Sequence, residues 1–214
     1  MKELQVSSSD LRMIGQLQEF SPNLEAESEL SEGLQIRESW EKLALHLQLV
    51  TFYSQLLVSK GIWQTNILWN EYKAFLRPMG FGGLTVNAVV NTYASVLDEF
   101  LTVSNQLSDT IQLTAQTLNY VQALILKAQK RLLIETKQQG FLQRCLNLLL
   151  GNGWFMRWQA ELTTCERASS IIKSISPFVS DMKGSISTSN NGTEGDTQRL
   201  RLLILISSLF QCRP

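Results

Sequence analysis

Apolar residues recur at alternating steps of three and four from Leu84 to about Gly140, and no proline interrupts them. This spacing is a seven-residue repeat, which predicts a helix of roughly 85 Å at about 1.5 Å per residue. Two polar residues stand in an otherwise apolar row. The row is Val86, Val90, Tyr93, Leu97, Phe100, Ser104, Leu107, Ile111, Thr114, Leu118, Val121, Ile125, Ala128 and Leu132.

The polar positions of this helix carry little charge. Between Leu84 and Leu126 there is no Lys or Arg, although a solvent-exposed two-stranded coiled coil usually carries charged pairs beside its seam. A second apolar row widens the apolar side, which is typical of a helix with two or more neighbours. We therefore expect it to pack against its own chain, other copies, or both. The second row is Val89, Val96, Val103 and Leu124.

Residues 34–60 show two apolar rows of their own and predict a second long helix, with Gly61 as its C-terminal stop. An apolar circumference of this kind predicts burial between partners. Residues 62–76 predict a shorter helix that follows it. The first row is Ile36, Trp40, Leu43, Leu47, Val50, Ser54 and Leu57, and the second is Leu45, Leu49, Phe52 and Leu56.

The N-terminal region, residues 1–33, is an acidic arm with short helices. Residues 9–20 predict a helix capped by Ser9 or Asp10, and Ser21-Pro22 then interrupts the pattern. Up to Trp40 the chain holds eight acids against three bases. This arm is either a solvated acidic surface or a segment that docks on a basic stretch of the bundle.

The C-terminal part predicts a returning helix. Gly151-Asn152-Gly153 interrupts the pattern, residues 154–175 resume it, and Pro177 ends or kinks it. Polar residues 185–198 predict a flexible linker, and the apolar residues 199–214 predict a final helix that docks on the main bundle, residues 34–184. The predicted fold is all-α, an elongated antiparallel helical bundle with one very long central helix and a coiled-coil-like heptad seam.

Charge and cysteine content narrow the function classes. Nineteen basic residues balance nineteen acidic ones, which argues against a protein that mainly neutralises nucleic-acid phosphates. Three widely spaced cysteines form neither a disulfide framework nor a zinc pattern, so we expect a reducing compartment and no metal or cofactor. No signal peptide or membrane-spanning run is visible. These features favour a cytoplasmic location and leave unconventional export open.

Residues able to carry out catalysis are scarce, and we expect no enzyme activity. The single histidine, His46, lies between two leucines, where a structural or interface role is expected. Asp98 and Glu99 share the long helix, but no Glu-x-x-His pattern completes a di-iron set. The glycines at 80, 82 and 83 lack a following Lys-Ser/Thr pair and predict a tight turn.

Two residue sets are candidate interaction sites. The basic stripe is a solvated face, a dock for the acidic arm, or a surface for nucleic acid or an anionic membrane. The aromatic set plugs the end of the bundle or forms an adhesive or membrane-touching tip. The basic stripe is Lys127, Lys130, Arg131, Lys137 and Arg144; the aromatic set is Leu149, Leu150, Trp154, Phe155, Met156 and Trp158.

Three functions compete. The first is a non-enzymatic helical scaffold or protein–protein interaction protein, with a protein partner or self-association through its long helices. The second is a membrane-active protein similar in outline to α-helical pore-forming toxins, using the aromatic set and the apolar tail. The third is an anionic-surface or nucleic-acid binder that uses the basic stripe; nucleic acid is the less favoured ligand because the chain has no net charge.

Overall fold

The protein is an all-α helical bundle. The computed structural model describes residues 6–26, 33–76, 86–138, 140, 145 and 153–211, with the backbone alone from 188 onwards. Within these ranges four helices form and no strand does. They are α1 (Ser8–Ala26), α2 (Gly33–Leu76), α3 (Val86–Gln138) and α4 (Gly153–Gln211).

The chain divides into two compact units. Unit 1 comprises Met1–Val6, Leu49–Thr110 and Met182–Pro214, and unit 2 comprises Ser7–Gln48 and Ile111–Asp181. Each unit therefore takes residues from α2, α3 and α4, and α1 belongs to unit 2.

A reciprocal pair of hydrogen bonds starts α1. The Asp10 amide donates to Ser7 Oγ at 3.2 Å, and the Ser7 amide donates to the Asp10 carboxylate at 2.9 Å. These bonds satisfy backbone N–H groups that the first helical turn leaves without an intrahelical acceptor. The predicted caps, Ser9 and Asp10, were therefore wrong by two or three residues, since Ser7 holds the cap position.

Trp40 joins α1 to α2 in unit 2. Its side chain is fully buried, its ring centroid lies 5.3 Å from that of Phe20, and its Nε1 donates to the Leu17 carbonyl at 2.7 Å. Pro22 lies inside α1 and has no amide proton for the carbonyl four residues earlier. The predicted interruption at Pro22 does not occur, because Phe20 and Leu24 bury their side chains on both sides of it.

The core of unit 2 is built from apolar rows at helical spacing. In α3 the predicted row is buried from Ile111 to Leu132, including Thr114. In α4 only part of the row at three- and four-residue spacing is buried: Cys165 and Ile172 are buried, but Trp158, Leu162 and Ser169 are half-buried. The buried α4 residues of this unit are Glu161, Thr164, Cys165, Ala168, Ile172, Ile175 and Val179.

Unit 1 has its own core and a polar bridge between α2 and α3. Its buried apolar side chains are Val50, Leu57, Val103, Leu107, Met182 and Ile186. At its surface Lys60 Nζ donates to Glu99, and Gln64 Nε2 donates to the second carboxylate oxygen of Glu99 at 3.0 Å. Because both donors come from α2 and the acceptor from α3, the bridge holds the two helices in one register relative to each other.

The Lys60–Glu99 ion pair gives a test of this bridge. The hydrogen bond from Lys60 and the positive charge of Lys60 lower the pKa of Glu99. A lowered carboxyl pKa stabilises the fold above the unfolded pKa, and that contribution is lost as pH falls through the folded pKa. We expect Lys60→Met to raise the pKa of Glu99 towards its ordinary value in a side-chain carboxyl NMR titration. Lys73→Met on the same helix is the control, and equal shifts in both variants would contradict the pairing.

One predicted helix end, at Gly61 of α2, is not where the sequence placed it. Gly61 was predicted to stop a helix, but α2 continues through it to Leu76. A mid-helix glycine costs only about 1 kcal/mol relative to alanine, and buried Leu57 and Gln64 on either side offset this cost. The helix α3 ends at Gln138, and Gly140, at the end of the predicted helix, is not helical.

The structure also differs from the prediction near the C-terminus. Pro177 lies inside α4, and residues 185–198, predicted as a linker, are helical. Once a helix is nucleated, each added residue gains one backbone hydrogen bond. A polar stretch without proline, such as residues 185–198, can therefore make the helix less stable without ending it. The predicted final helix, residues 199–214, is part of α4 as far as Gln211.

Candidate functional site

An apolar stripe on α2 is the candidate functional site. Its members follow one another at steps of three, four and seven, which places them on one side of the helix. Val50, Leu57 and Gln64 of the same segment are buried on the other side. We call this surface the outer stripe: Leu49, Phe52, Leu56 and Trp63.

The outer stripe faces solvent in the described part of unit 1. Phe52 is 56% exposed and Trp63 is 61% exposed, while Leu56 is half-buried. The Phe52 ring packs edge to face with that of neighbouring Tyr53, at a centroid distance of 5.4 Å. The second apolar row predicted for this helix, which includes Leu49, was expected to be buried between partners, but the described residues leave Leu49 and Phe52 exposed.

Charge is absent from the outer stripe. Lys60, the nearest cation on the same turn of helix as Trp63, is ion-paired with Glu99 of α3. Exposed apolar patches that contain aromatic residues and few charges are typical of protein interfaces. Two such surfaces can meet without like-charge repulsion.

A second surface is a groove of about 710 Å³ along the last third of α3 in unit 2. Lys127 and Lys130 are exposed on it, and Arg131 Nε lies 3.5 Å from Glu135 Oε1. Leu126 and Ile134 are about half exposed. We call this surface the basic groove; its described lining is Ala123, Leu126, Lys127, Lys130, Arg131, Ile134 and Glu135.

The basic groove gathers three of the five predicted stripe residues. Lys137 is exposed but does not line the groove, and Arg144 lies outside the described residues. Sequence reasoning missed the apolar part of this surface. The signal was present in the four-residue steps Leu126, Lys130 and Ile134, which alternate apolar and basic side chains along one side of the helix.

The aromatic set does not form one described surface. Met156 is 71% exposed, whereas Trp158 is half-buried and its Nε1 donates to the Leu132 carbonyl at 3.1 Å. Trp158 therefore helps to hold α4 against α3. Trp154 and Phe155 lie in the first turn of α4 without described side chains, and Leu149 and Leu150 lie outside the described residues.

Comparison with known protein families, with curated proteins and with solved structures found no match. The function is therefore inferred from the two surfaces.

His46 has a structural contact. Thr117 Oγ1 donates to the Leu113 carbonyl at 2.9 Å and lies 3.2 Å from His46 Nδ1. The neutral tautomer with its proton on Nδ1 lets His46 donate to Thr117 while the Thr117 hydroxyl donates to Leu113. Partial burial and then the positive charge of Lys42 lower the pKa of His46, which favours this neutral form.

The described residues were also compared with the needs of metal and membrane sites. No group of three or more His, Cys, Asp or Glu side chains among them is placed to hold a metal ion. No helix in the described ranges is both long and apolar enough to cross a bilayer.

Proposed function

We propose that this protein is a non-enzymatic helical scaffold that associates with a second copy of itself through the outer stripe of α2. The observation that carries this proposal is the exposure of Phe52 and Trp63 on the side of α2 opposite its buried residues. A helix that is apolar on two opposite sides buries both only when it has neighbours on both. The core of unit 1 covers one side, and a second copy covers the other.

A second copy fits this surface because it carries the same uncharged stripe. Homodimers most often form through self-complementary surfaces related by a two-fold axis. Helices pack by inserting side chains at three- and four-residue spacing between those of a partner helix. The spacing of Leu49, Phe52, Leu56 and Trp63 supplies such a row. Tryptophan and other aromatic residues contribute strongly to association when they become fully buried.

We also propose an arrangement of the helices and a cellular location. We propose an elongated, antiparallel bundle in which α3 is the central helix and its buried row forms a coiled-coil-like seam with its neighbours. The regular burial of Leu107, Ile111, Leu118 and Val121 at heptad steps supports the seam. The described cysteines, Cys145 and Cys165, form no disulfide, which supports the proposal of a cytoplasmic, reducing location.

Size-exclusion chromatography with light scattering tests the association. We expect the wild type to show a mass above the 24.2 kDa of one chain that rises with concentration. Phe52→Glu/Trp63→Glu should weaken the dimer at least about tenfold, because charge placed in a buried apolar contact must be desolvated.

The matched control is Leu113→Glu/Tyr120→Glu, which changes two similarly exposed apolar residues on α3. This control should leave the mass unchanged. A wild type that stays at the mass of one chain at every concentration, or a control that dissociates the dimer equally, would overturn the proposal.

A further inference from the structure

The helix α1 buries one side within unit 2. Trp40 of α2 contacts this side at two points, since its ring packs against Phe20 and its Nε1 donates to the Leu17 carbonyl at 2.7 Å. Other positions of α1, such as Gln16 and Gln18, are exposed. Apolar anchors at steps of three and four are the pattern by which a helical ligand binds another protein. We call the buried side chains of α1 the docking row: Ile14, Leu17, Phe20 and Leu24.

Two interior residues make α1 a weak helix on its own. Glycine and proline are the residues least favourable inside a helix, and α1 contains Gly15 and Pro22. A side chain added at Gly15 would meet no atom within 4 Å, so packing does not require glycine there. In proteins, most helical stability comes from packing of an amphipathic face. The helix α1 therefore depends on burial of its docking row.

A helix of this kind can leave its site while the rest of the protein stays folded. Proteins open locally, in units as small as one or two elements, at free energies below that of global unfolding. When α1 opens, the Trp40 ring and indole N–H lose the partners that Phe20 and Leu17 supply. A new occupant must bring apolar anchors and a backbone acceptor at the same spacing. The α1 of a second copy does so, because it has the same sequence.

We infer that α1 is an exchangeable helix, and that the α2 surface around Trp40 binds the α1 of a second copy in place of its own. The exchanged helix buries the same docking row, and its Leu17 carbonyl accepts the Trp40 hydrogen bond. Exchange of an identical element is a low-cost route to association, because both forms make the same contacts. This site goes beyond the proposed self-association, since it uses no residue of the outer stripe.

A fluorescent peptide of residues 6–26 stands in for the α1 of a second copy and tests the inference with the full chain. We expect fluorescence anisotropy to show saturable binding of this peptide. Leu17→Glu/Phe20→Glu in the peptide should weaken binding at least about tenfold, because charge would enter a buried apolar contact. The matched peptide, Gln16→Glu/Gln18→Glu, adds the same two charges at exposed positions and should bind as the unchanged peptide does.

Gly15→Ala in the full chain tests whether its own α1 competes with the peptide. Alanine stabilises the docked helix and meets no neighbouring atom, so the fraction of open protein falls. Binding of the unchanged peptide should weaken about threefold to fivefold. The matched control is Gly184→Ala in α4, where an added side chain also meets no atom within 4 Å. This control should leave peptide binding unchanged.

Releasing α1 should have the opposite effect. Leu17→Glu/Phe20→Glu in the full chain removes the competing helix, so binding of the unchanged peptide should strengthen at least about tenfold. Gln16→Glu/Gln18→Glu in the full chain is the control and should bind the peptide as the wild type does. Circular dichroism checks that each variant is folded, and the Gly15→Ala result decides the question if the released variant is not.

Three outcomes would overturn the inference. They are no saturable binding of the peptide, equal effects of Gly15→Ala and Gly184→Ala, and equally tight binding of an unrelated leucine–glutamate helix, which would indicate a general helix-binding surface. The same titration in Phe52→Glu/Trp63→Glu separates this site from the proposed dimer. Peptide binding should persist in that variant whether or not the wild type dimerises.

Discussion

Replacing Trp40 with alanine is expected to lower the free energy of unfolding by about 3–5 kcal/mol, the range found for truncating a large buried aromatic side chain. The side chain is fully buried between α1 and α2 and contacts Phe20. Its removal leaves a cavity and takes away the Nε1 hydrogen bond to the Leu17 carbonyl. Urea unfolding followed by far-UV circular dichroism measures the loss.

Two further variants separate the causes of this loss. Trp40→Phe keeps most of the apolar contact and removes the hydrogen bond to Leu17, so we expect a smaller loss of about 1–3 kcal/mol. Trp69→Ala removes an exposed tryptophan of the same helix, which contacts Lys73, and should cost less than about 1 kcal/mol. Similar losses for Trp40→Ala and Trp69→Ala would show that α1 does not pack on Trp40 as described.

Replacing Leu107 with alanine is expected to lower the free energy of unfolding by about 2–5 kcal/mol, through lost burial and the cavity left behind. Leu107 is fully buried in unit 1, whereas Trp40 lies in unit 2. The two substitutions therefore test the core of each unit separately. The same urea experiment gives the value.

Leu113→Ala is the matched control for Leu107→Ala, because both change leucine to alanine on α3. Leu113 is 50% exposed, and its truncation should change the free energy of unfolding by less than about 0.5 kcal/mol. If the two leucines cost the same, the orientation of α3 about its own axis would differ from the one described here.

Periodicity predicted which side of α2 and of α3 is buried. In α2 all seven residues of the first predicted row, including Trp40, are buried. In α3 the row is buried from Ser104 to Leu132, while Tyr93 in the same row is 37% exposed. Burial of an apolar row follows from local spacing because a helix repeats its contacts every three to four residues.

Periodicity could not predict what covers a second apolar row. Leu49 and Phe52 obey the same spacing as the core residues, yet the four described helices leave them exposed. The residues at which the helices end could not be predicted from local sequence signals either. Gly61 and Pro177 are weak or ambiguous stops, and burial of the flanking side chains, such as Leu57 and Ile175, decides whether a helix continues.

The candidate sites were only partly visible in the sequence. The cations Lys127, Lys130 and Arg131 were identified from their clustering, and the structure places them on one groove. The role of Trp158 was not predictable, because its hydrogen bond to the Leu132 carbonyl depends on how α4 returns along α3. A buried indole N–H usually donates to an acceptor that tertiary packing brings close. The spacing of residues along the chain does not predict which acceptor that is.

Distance measurement between copies would test the self-association most directly. A spin label introduced as a noncanonical residue at exposed Ser59, between Leu56 and Trp63 on α2, leaves the native cysteines in place. We predict dipolar broadening of the continuous-wave electron paramagnetic resonance spectrum, since packed helices lie about 8–10 Å apart. Phe52→Glu/Trp63→Glu should remove that broadening. An absence of dipolar coupling between wild-type copies at high protein concentration would contradict the proposed dimer.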